Sequence, residues 1–263
     1  MRSDQCKAQE YSFSLRSPDE SGDDPGDPGA SSRATSVRVS GVSLIERCRV
    51  AKRSDEYRAI GATRAVSFLS YPSDRSSDAV ERHAKIQADE QWKSVENKAK
   101  LQDPGFRGVI VTALIGTLAP ADTNDTNALE VLLSITNDMV RNASGLPSGE
   151  LAVSSVDINV TRAMPGESLS GTEGKQPYSR CYLSNVCVIP SARSIGVGTR
   201  MIEASLDEAA RQGVQVAYVH CGQSNGPALS LYKRCGFEEE KRDDAKRLAG
   251  SGQEPRVLFR RFL

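Results

Sequence analysis

A loop with two spaced glycines, Arg193-Ser194-Ile195-Gly196-Val197-Gly198-Thr199, stands between a β-type run at residues 182–188 and a helical pattern that opens at Thr199-Arg200-Met201-Ile202-Glu203-Ala204. A strand-to-helix junction of this kind leaves several backbone N–H groups without partners at the helix N-terminus, where the macrodipole favours negative charge. The chemistry offered is the binding of a pyrophosphate. The loop contains neither G-x-G-x-x-G nor G-x-x-x-x-G-K-[ST], so it matches neither the dinucleotide fingerprint nor the nucleoside-triphosphate loop. One strand later comes Asn225-Gly226-Pro227-Ala228-Leu229-Ser230-Leu231-Tyr232-Lys233-Arg234-Cys235-Gly236-Phe237. This second stretch has an Asn at a helix start, a phenol on the helix and a Gly-Phe exit, and the phenol could move a proton.

Together the two stretches, V-x-P-x-x-R-x-x-G-x-G and N-G-P-A-L-x-L-Y-x-x-x-G-F, resemble the GCN5-related N-acetyltransferase (GNAT) family. The resemblance is tight over residues 181–237 and looser over 36–263. It implies an α/β GNAT fold: a mixed, mostly antiparallel central sheet, splayed at the acetyl-CoA site and flanked by helices. It implies acetyl-CoA as co-substrate and acetyl transfer to a primary amine. By the same resemblance, Val186, Cys187 and Val188 pair with the pantetheine, the Val188 amide polarising the thioester carbonyl. Arg193, Ser194, Ile195, Gly196, Val197, Gly198 and Thr199 hold the pyrophosphate, and Asn225 and Ala228 line the coenzyme on its other side. Tyr232 falls on the family's proton donor. A coenzyme-type thiol has a pKa near about 8.5 and a phenol near about 10, so proton delivery to the leaving sulfur is only mildly uphill.

Tyr182 is a weaker candidate for the donor and reads as flanking the strand. The general base is open at this stage: Asp157, Ser184, Asn185 and His220 each have an ordinary structural reading beside a catalytic one. The stretch 62–76 with Ala88-Asp89-Glu90-Gln91-Trp92 is similar to the corresponding segment of plant and algal plastid enzymes of this family, whose two helices border the acyl-acceptor groove. The expected acceptor is a protein N-terminal α-amine, a lysine ε-amine or both. A small arylalkylamine is the alternative, and a non-catalytic acyl-CoA-binding module is the reading from another class.

Composition bounds these expectations. The 263 residues carry 34 Lys plus Arg against 34 Asp plus Glu, so no global basic field exists to hold nucleic acid or an anionic membrane. No apolar run approaches the roughly 20 residues needed to cross a bilayer, which predicts a soluble protein. The six cysteines form no C-x-x-C pair and read as reduced core residues, and with two histidines no metal site is expected. Oligomeric state is not encoded in any recognisable pattern.

The elements that must position these groups follow in order. Residues 1–35, rich in Ser, Asp, Gly and Pro, read as a disordered tail or transit peptide. The Ser and Arg content and the resemblance point to a chloroplast or other plastid, the acids at 19–27 point to the cytoplasm. A GNAT domain is expected over 36–263. Its elements are a strand at 36–50, helices at 55–71 and 78–101, and strands at 108–116 and 150–160. An insertion around 119–149 contains a short helix at 128–140, and 164–177 is a polar loop. After the central strand come a helix at 199–212, a strand at 214–221, a helix at 226–235, and strands from Phe237 and at 256–259. His83 and Trp92 read as packing residues of the second helix.

Overall fold

Alternation of apolar and polar residues sets the first strands, and a left-handed turn divides them. The computed structural model describes residues 34–100, 109–143, 146, 149–161, 179–248, 252 and 254–263. β1 (Ala34–Val39) and β2 (Val42–Val50) form a hairpin in which Val39 faces Val42. Ser40 and Gly41 take φ of 50° and 83°, the conformation of a two-residue turn whose twist matches the strands. The single strand expected over 36–50 is therefore two, because the Ser-Gly pair is a turn signal.

α1 (Ser54–Phe68) starts where Glu56 accepts hydrogen bonds from the amides of Lys52 (2.9 Å) and Arg53 (3.2 Å), satisfying donors that a helix start leaves free. It ends in extended backbone at Leu69, shortly before Pro72. α2 (Ser77–Lys100) lies against α1, and β3 (Val109–Pro120) follows. The expected helix at 128–140 is two short ones, α3 (Thr126–Ser134) and α4 (Asp138–Ala143). The break has a cause: Thr136 Oγ1 turns back to the Leu132 carbonyl (3.0 Å), and Asn137 Oδ1 accepts from the Val140 amide (3.0 Å), capping a new helix.

The remainder is β4 (Leu151–Thr161), β5 (Arg180–Val188), a 3₁₀ turn (Pro190–Ala192), α5 (Val197–Arg211), β6 (Val216–Gly222), α6 (Gly226–Arg234), β7 (Glu238–Arg242), α7 (Ala245–Leu248) and β8 (Arg256–Phe262). α7 is an element beyond those expected from the sequence. The expected tail lies outside the described residues, except that Ala34 and Thr35 begin β1. The expected loop at 164–177 also lies outside them. Among the described residues no helix is long and apolar enough to cross a membrane.

The eight strands run β1-β2-β3-β4-β5-β6-β8-β7, and every neighbouring pair is antiparallel except β5 with β6. α5 and α6 cover one face through Met201, Ile202, Leu206, Ala209 and Tyr232, which meet Val156, Ile158, Leu183 and Val219. α1 and α2 cover the other through Tyr57, Ala59, Ile60 and Val95, which meet Ala113, Ile115 and Ala152. A third cluster joins α3 and α4 to β2 through Leu132, Val140 and Leu44. Cys48, Cys181, Cys187, Cys221 and Cys235 are buried in the reduced state. Burial pushes the Cys48 and Cys181 thiols up to about 12, which leaves them poor nucleophiles.

The contact of α1 with α2 rests on Gly61. A Cβ there would lie 2.5 Å from the Ala88 carbonyl oxygen and 2.8 Å from the Trp92 amide nitrogen, both backbone atoms that cannot rotate away. Gly61→Ala gains up to about 1 kcal/mol of helix propensity but overpacks a rigid contact at a cost of about 1–3 kcal/mol. The expected result is a net loss, read as a Tm lowered by a few degrees in a thermal scan. A Tm that is unchanged or raised would show that α2 can shift away freely.

Candidate functional site

β5 carries the centre of the site because it changes partners along its length. Its first half pairs with β6, residues 180–183 facing 216–219, and then the two strands part. From there β5 is held by β4 alone. Ser184 faces Asp157 and Cys187 faces Ser155, so β5 spends one residue more than β4 over this interval. The extra residue is a bulge, which bends its strand and frees backbone groups. Asn185 occupies it with φ of 53°, a left-handed conformation that Asn tolerates better than most residues.

The bulge fixes where the amides beyond it point. The Ile189 amide donates to the Val153 carbonyl of β4 at 2.9 Å. Amides alternate sides along a strand, so that of Val188 faces the opening toward β6. Its side-chain supports lie on β4 and α1. Asn185 Nδ2 donates to Asp157 Oδ2 at 2.8 Å, and Arg64 Nη2 donates to Asp157 Oδ1 at 2.5 Å. Arg64 Nε donates to Ser155 Oγ at 3.1 Å, and that hydroxyl lies 3.4 Å from Cys187 Sγ. Arg64, Asp157 and Ser155 are fully buried. Asp157, a candidate proton acceptor in the sequence, is thus the anion of a buried ion pair, with Lys98 Nζ a further 3.8 Å from Oδ2. It is not free to act as a base.

Beyond Ile189 the chain makes the 3₁₀ turn and enters α5 through Ser194 at φ 66° and Gly196 at φ 91°. Gly196 is the N-cap, and no side chain caps the helix. The first backbone donors re-engaged are those of Arg200, to the Gly196 carbonyl (3.2 Å), and the helix beyond it. The amides of Ser194, Ile195, Gly196, Val197, Gly198 and Thr199 donate to nothing among the described residues. Consecutive free amides around left-handed residues form a concavity suited to an anion. From Cys181 to Ile202 the chain has no acidic residue. Two arginines brace the loop: Arg193 Nε bonds the Val188 carbonyl (3.1 Å), and Arg200 Nη2 bonds the Ile195 carbonyl (3.1 Å) while pairing with Glu46 of β2. Burial pushes the Glu46 carboxyl up although Arg200 pulls it down.

α6 begins at Asn225, whose Oδ1 accepts from the Ala228 amide at 3.2 Å. Its inward face presents Tyr232, buried with its ring 5.8 Å from that of Phe237 and 6.0 Å from that of Phe259. No hydrogen bond to the Tyr232 hydroxyl is formed among the described residues. Burial raises its pKa well above that of an ordinary phenol, helped by the nearby Cys221, Tyr182 and Cys235. The structure also joins two residues that the sequence presents separately. Tyr182 Oη lies 3.1 Å from His220 Nδ1. The parallel pairing of β5 with β6 brings these residues together across 38 positions, and no local pattern signals it.

A cleft of about 840 Å³ opens between α1, α2 and α4. Ala65, Val66 and Leu69 of α1 and Val80 and Ala84 of α2 line it, and Met139 of α4 closes it. Arg58 lies 4.5 Å over the Trp92 ring at its rim. Trp92 also packs against the buried cluster of α1 and β3, and His83 Nδ1 lies 3.0 Å from Tyr71 Oη. Both have structural roles on α2.

Comparison with known proteins bears on the same stretch. Residues 165–237 match the Acetyltransferase (GNAT) family. GCN5-related N-acetyltransferase 7, chloroplastic, of Arabidopsis thaliana is 38% identical over 98 residues, covering 36% of this chain and 35% of that protein. The chloroplastic protein 6 of the same plant is 30% identical over 98 residues, covering 33% of each. This chain therefore spans about a third of the length of these two relatives. An N-alpha-acetyltransferase of Sulfurisphaera tokodaii is 32% identical over 62 residues, 23% of this chain and 36% of that protein. Among solved structures, Arabidopsis thaliana NAA60 in complex with acetyl-CoA aligns at 17% identity and a TM-score of 0.47, over 83% of this chain and 98% of the other. The match to the Acetyltransferase (GNAT) family lies on the loop with free amides and on the helix carrying Tyr232.

Proposed function

We propose that the chain is an acetyl-CoA-dependent N-acetyltransferase acting on protein N-terminal α-amines, lysine ε-amines or both. The observation that carries this reading is the run of unpartnered amides from Ser194 to Thr199 beside a strand whose own amides face an open gap. The fit to the coenzyme is local and physical. The amides can receive a pyrophosphate, and Gly198 leaves the approach clear, its nearest side-chain neighbour being Leu231. Among the described residues no strand pairs with Val186, Cys187 and Val188 on the β6 side, so an extended chain can add there as a strand would. When bound, acetyl-CoA supplies the acyl group as a thioester.

The chain's residues then divide the work. The Val188 amide donates a hydrogen bond into the gap, where negative charge develops on an acyl oxygen. Tyr232 keeps its proton at Oη and presents it to the leaving sulfur. Because burial raises its pKa, complete transfer is more uphill than the solution values suggest, and Tyr232 acts by donating a strong hydrogen bond as well as a proton. Tyr182 and His220, hydrogen-bonded across the splay, form the relay that accepts the amine proton. The cleft walled by α1, α2 and α4 is the proposed route of the acceptor. The names of the two chloroplastic relatives and of the N-alpha-acetyltransferase support the plastid location and a protein acceptor.

Incubation with acetyl-CoA, a peptide library and a panel of arylalkylamines, read by mass spectrometry, should acetylate peptides. Turnover of the small amines alone would sink the protein-acceptor reading, and tight acetyl-CoA binding without transfer would favour a binding module.

Gly198→Asp adds a carboxylate in the first turn of α5, where it favours the helix by about 0.3–1 kcal/mol but opposes a pyrophosphate at close range. The melting temperature should hold or rise while acetyl-CoA affinity by calorimetry falls more than about 10-fold. Unchanged affinity would count decisively against this loop.

Tyr232→Phe keeps the ring contacts and breaks no internal hydrogen bond, so Tm should barely move while kcat and kcat/KM fall together by about 10²- to 10⁴-fold. The donor works only while protonated, and its raised pKa moves the loss of activity above the ordinary phenol range of about 10. The kcat profile of the wild type should therefore show no falling limb up to pH 10. A limb near 9, or wild-type turnover by the Phe variant with chemistry rate-limiting, would remove Tyr232 from this role.

A further inference from the structure

The geometry points to Arg64, Asp157 and Asn185 as a positioning device: a buried arginine of α1 that reaches through β4 and holds the bulge of β5 in the shape that aims the Val186 and Val188 amides into the gap. The inference rests on the proposed acetyl transfer for its catalytic consequence, but not for the clamp itself. Arg64 forks to both sides of the bulge. Through Nη2 and Asp157 it reaches Asn185, the extra residue, and through Nε and the Ser155 hydroxyl it reaches Cys187, where regular pairing resumes. Asp157 and Ser155 are the β4 residues whose pairing with β5 brackets the irregularity.

Stability alone does not explain this choice of residues. Fully burying an ion pair loses solvation that its attraction often fails to recover, and apolar residues of similar volume are commonly as stable or more so. Here Arg64 is wholly buried and its Nη1 finds no partner among the described residues, a further cost of placing a guanidinium at this point. An apolar core would fill the space, but it could not direct two hydrogen bonds at opposite ends of a bulge. An unsupported Asn185 has several backbone conformations available, and each would turn the next amides differently. A misplacement of about 1 Å at reacting groups can cost about 10²-fold in rate. Arg64 and Asp157 are accordingly positioning residues, acting through Asn185 and the β5 backbone.

Two variants separate positioning from packing. Asn185→Gly accepts positive φ without strain and removes only the side-chain tie to Asp157. The double variant Arg64→Met with Asp157→Leu replaces the pair by apolar side chains and leaves no buried charge alone. Both should keep a cooperative thermal transition. In the ligand-free full chain, hydrogen exchange of the segment 184–188 should be faster than wild type in both, by about 10-fold or more. In the acetyl-transfer assay kcat should fall by about 10- to 100-fold, more than KM for acetyl-CoA rises, since the variants disturb the segment 186–188 but leave the loop at 194–199 untouched. Adding Asn185→Gly to the double variant should lower kcat no further, because both changes cut the same chain of contacts. Unaltered exchange in Asn185→Gly would overturn the clamp whatever the enzyme does. A double variant that is stable and has wild-type kcat would show the pair to be packing alone. Faster exchange in a protein whose wild type transfers no acetyl group would uphold the clamp and overturn the function proposed above.

Discussion

The structure depends on the separation of β5 from β6 after Leu183. Two parallel strands that stayed paired would leave no unsatisfied amides and no room between them. The bulge at Asn185 prevents this by spending an extra residue against β4, which bends β5 away and leaves its amides on the β6 side open. Exposed backbone donors are usually a liability. Here the two flanking helical layers keep the gap in place, with α5 and α6 on one face and α1 with α2 on the other. The opening is thus a fixed feature of the sheet.

Each group proposed to do chemistry can be traced to that gap. The free amides of α5 stand at the end of β5, where the chain leaves the sheet. Tyr232 of α6 shares a buried cluster with Leu183 of β5 and Val219 of β6, and Tyr182 with His220 spans the strands where the parting begins. The same interior that buries the Tyr232 ring holds its proton firmly, which suits a donor and would disable a base. Asp157 illustrates the reverse case. The sequence leaves Asp157 a candidate base, but its pairing with the buried Arg64 gives it a structural role.

The insertion between β3 and β4 contributes differently. α3 and α4 do not extend the sheet; they pack through Leu132 and Val140 onto β2, and α4 closes one wall of the cleft beside α1 and α2. Acceptor choice in such an arrangement would depend on a wall built from a segment with its own caps and turns. The proposed coenzyme side is built from β5, α5 and α6, which the family match spans. In the proposed reading, donor and acceptor are handled by separable parts of the chain.

The sequence by itself determined whatever depends on near neighbours. The glycine-spaced loop, the Asn-led helix with Tyr232, the alternating strands and the amphipathic helices were legible because caps, turns and periodicity act over a few residues. The hairpin at Ser40 and Gly41 and the break at Asn137 are also written locally, in turn and cap residues. Only the tertiary structure decided which polar residues meet. The pairing of Tyr182 with His220 needs the parallel register of strands joined by a helix, and the burial of Arg64 against Asp157 spans 93 positions. A lone Arg, Asp or Tyr has no periodicity to betray its partner, so long-range ion pairs and the protonation states they impose appear only once the chain has packed.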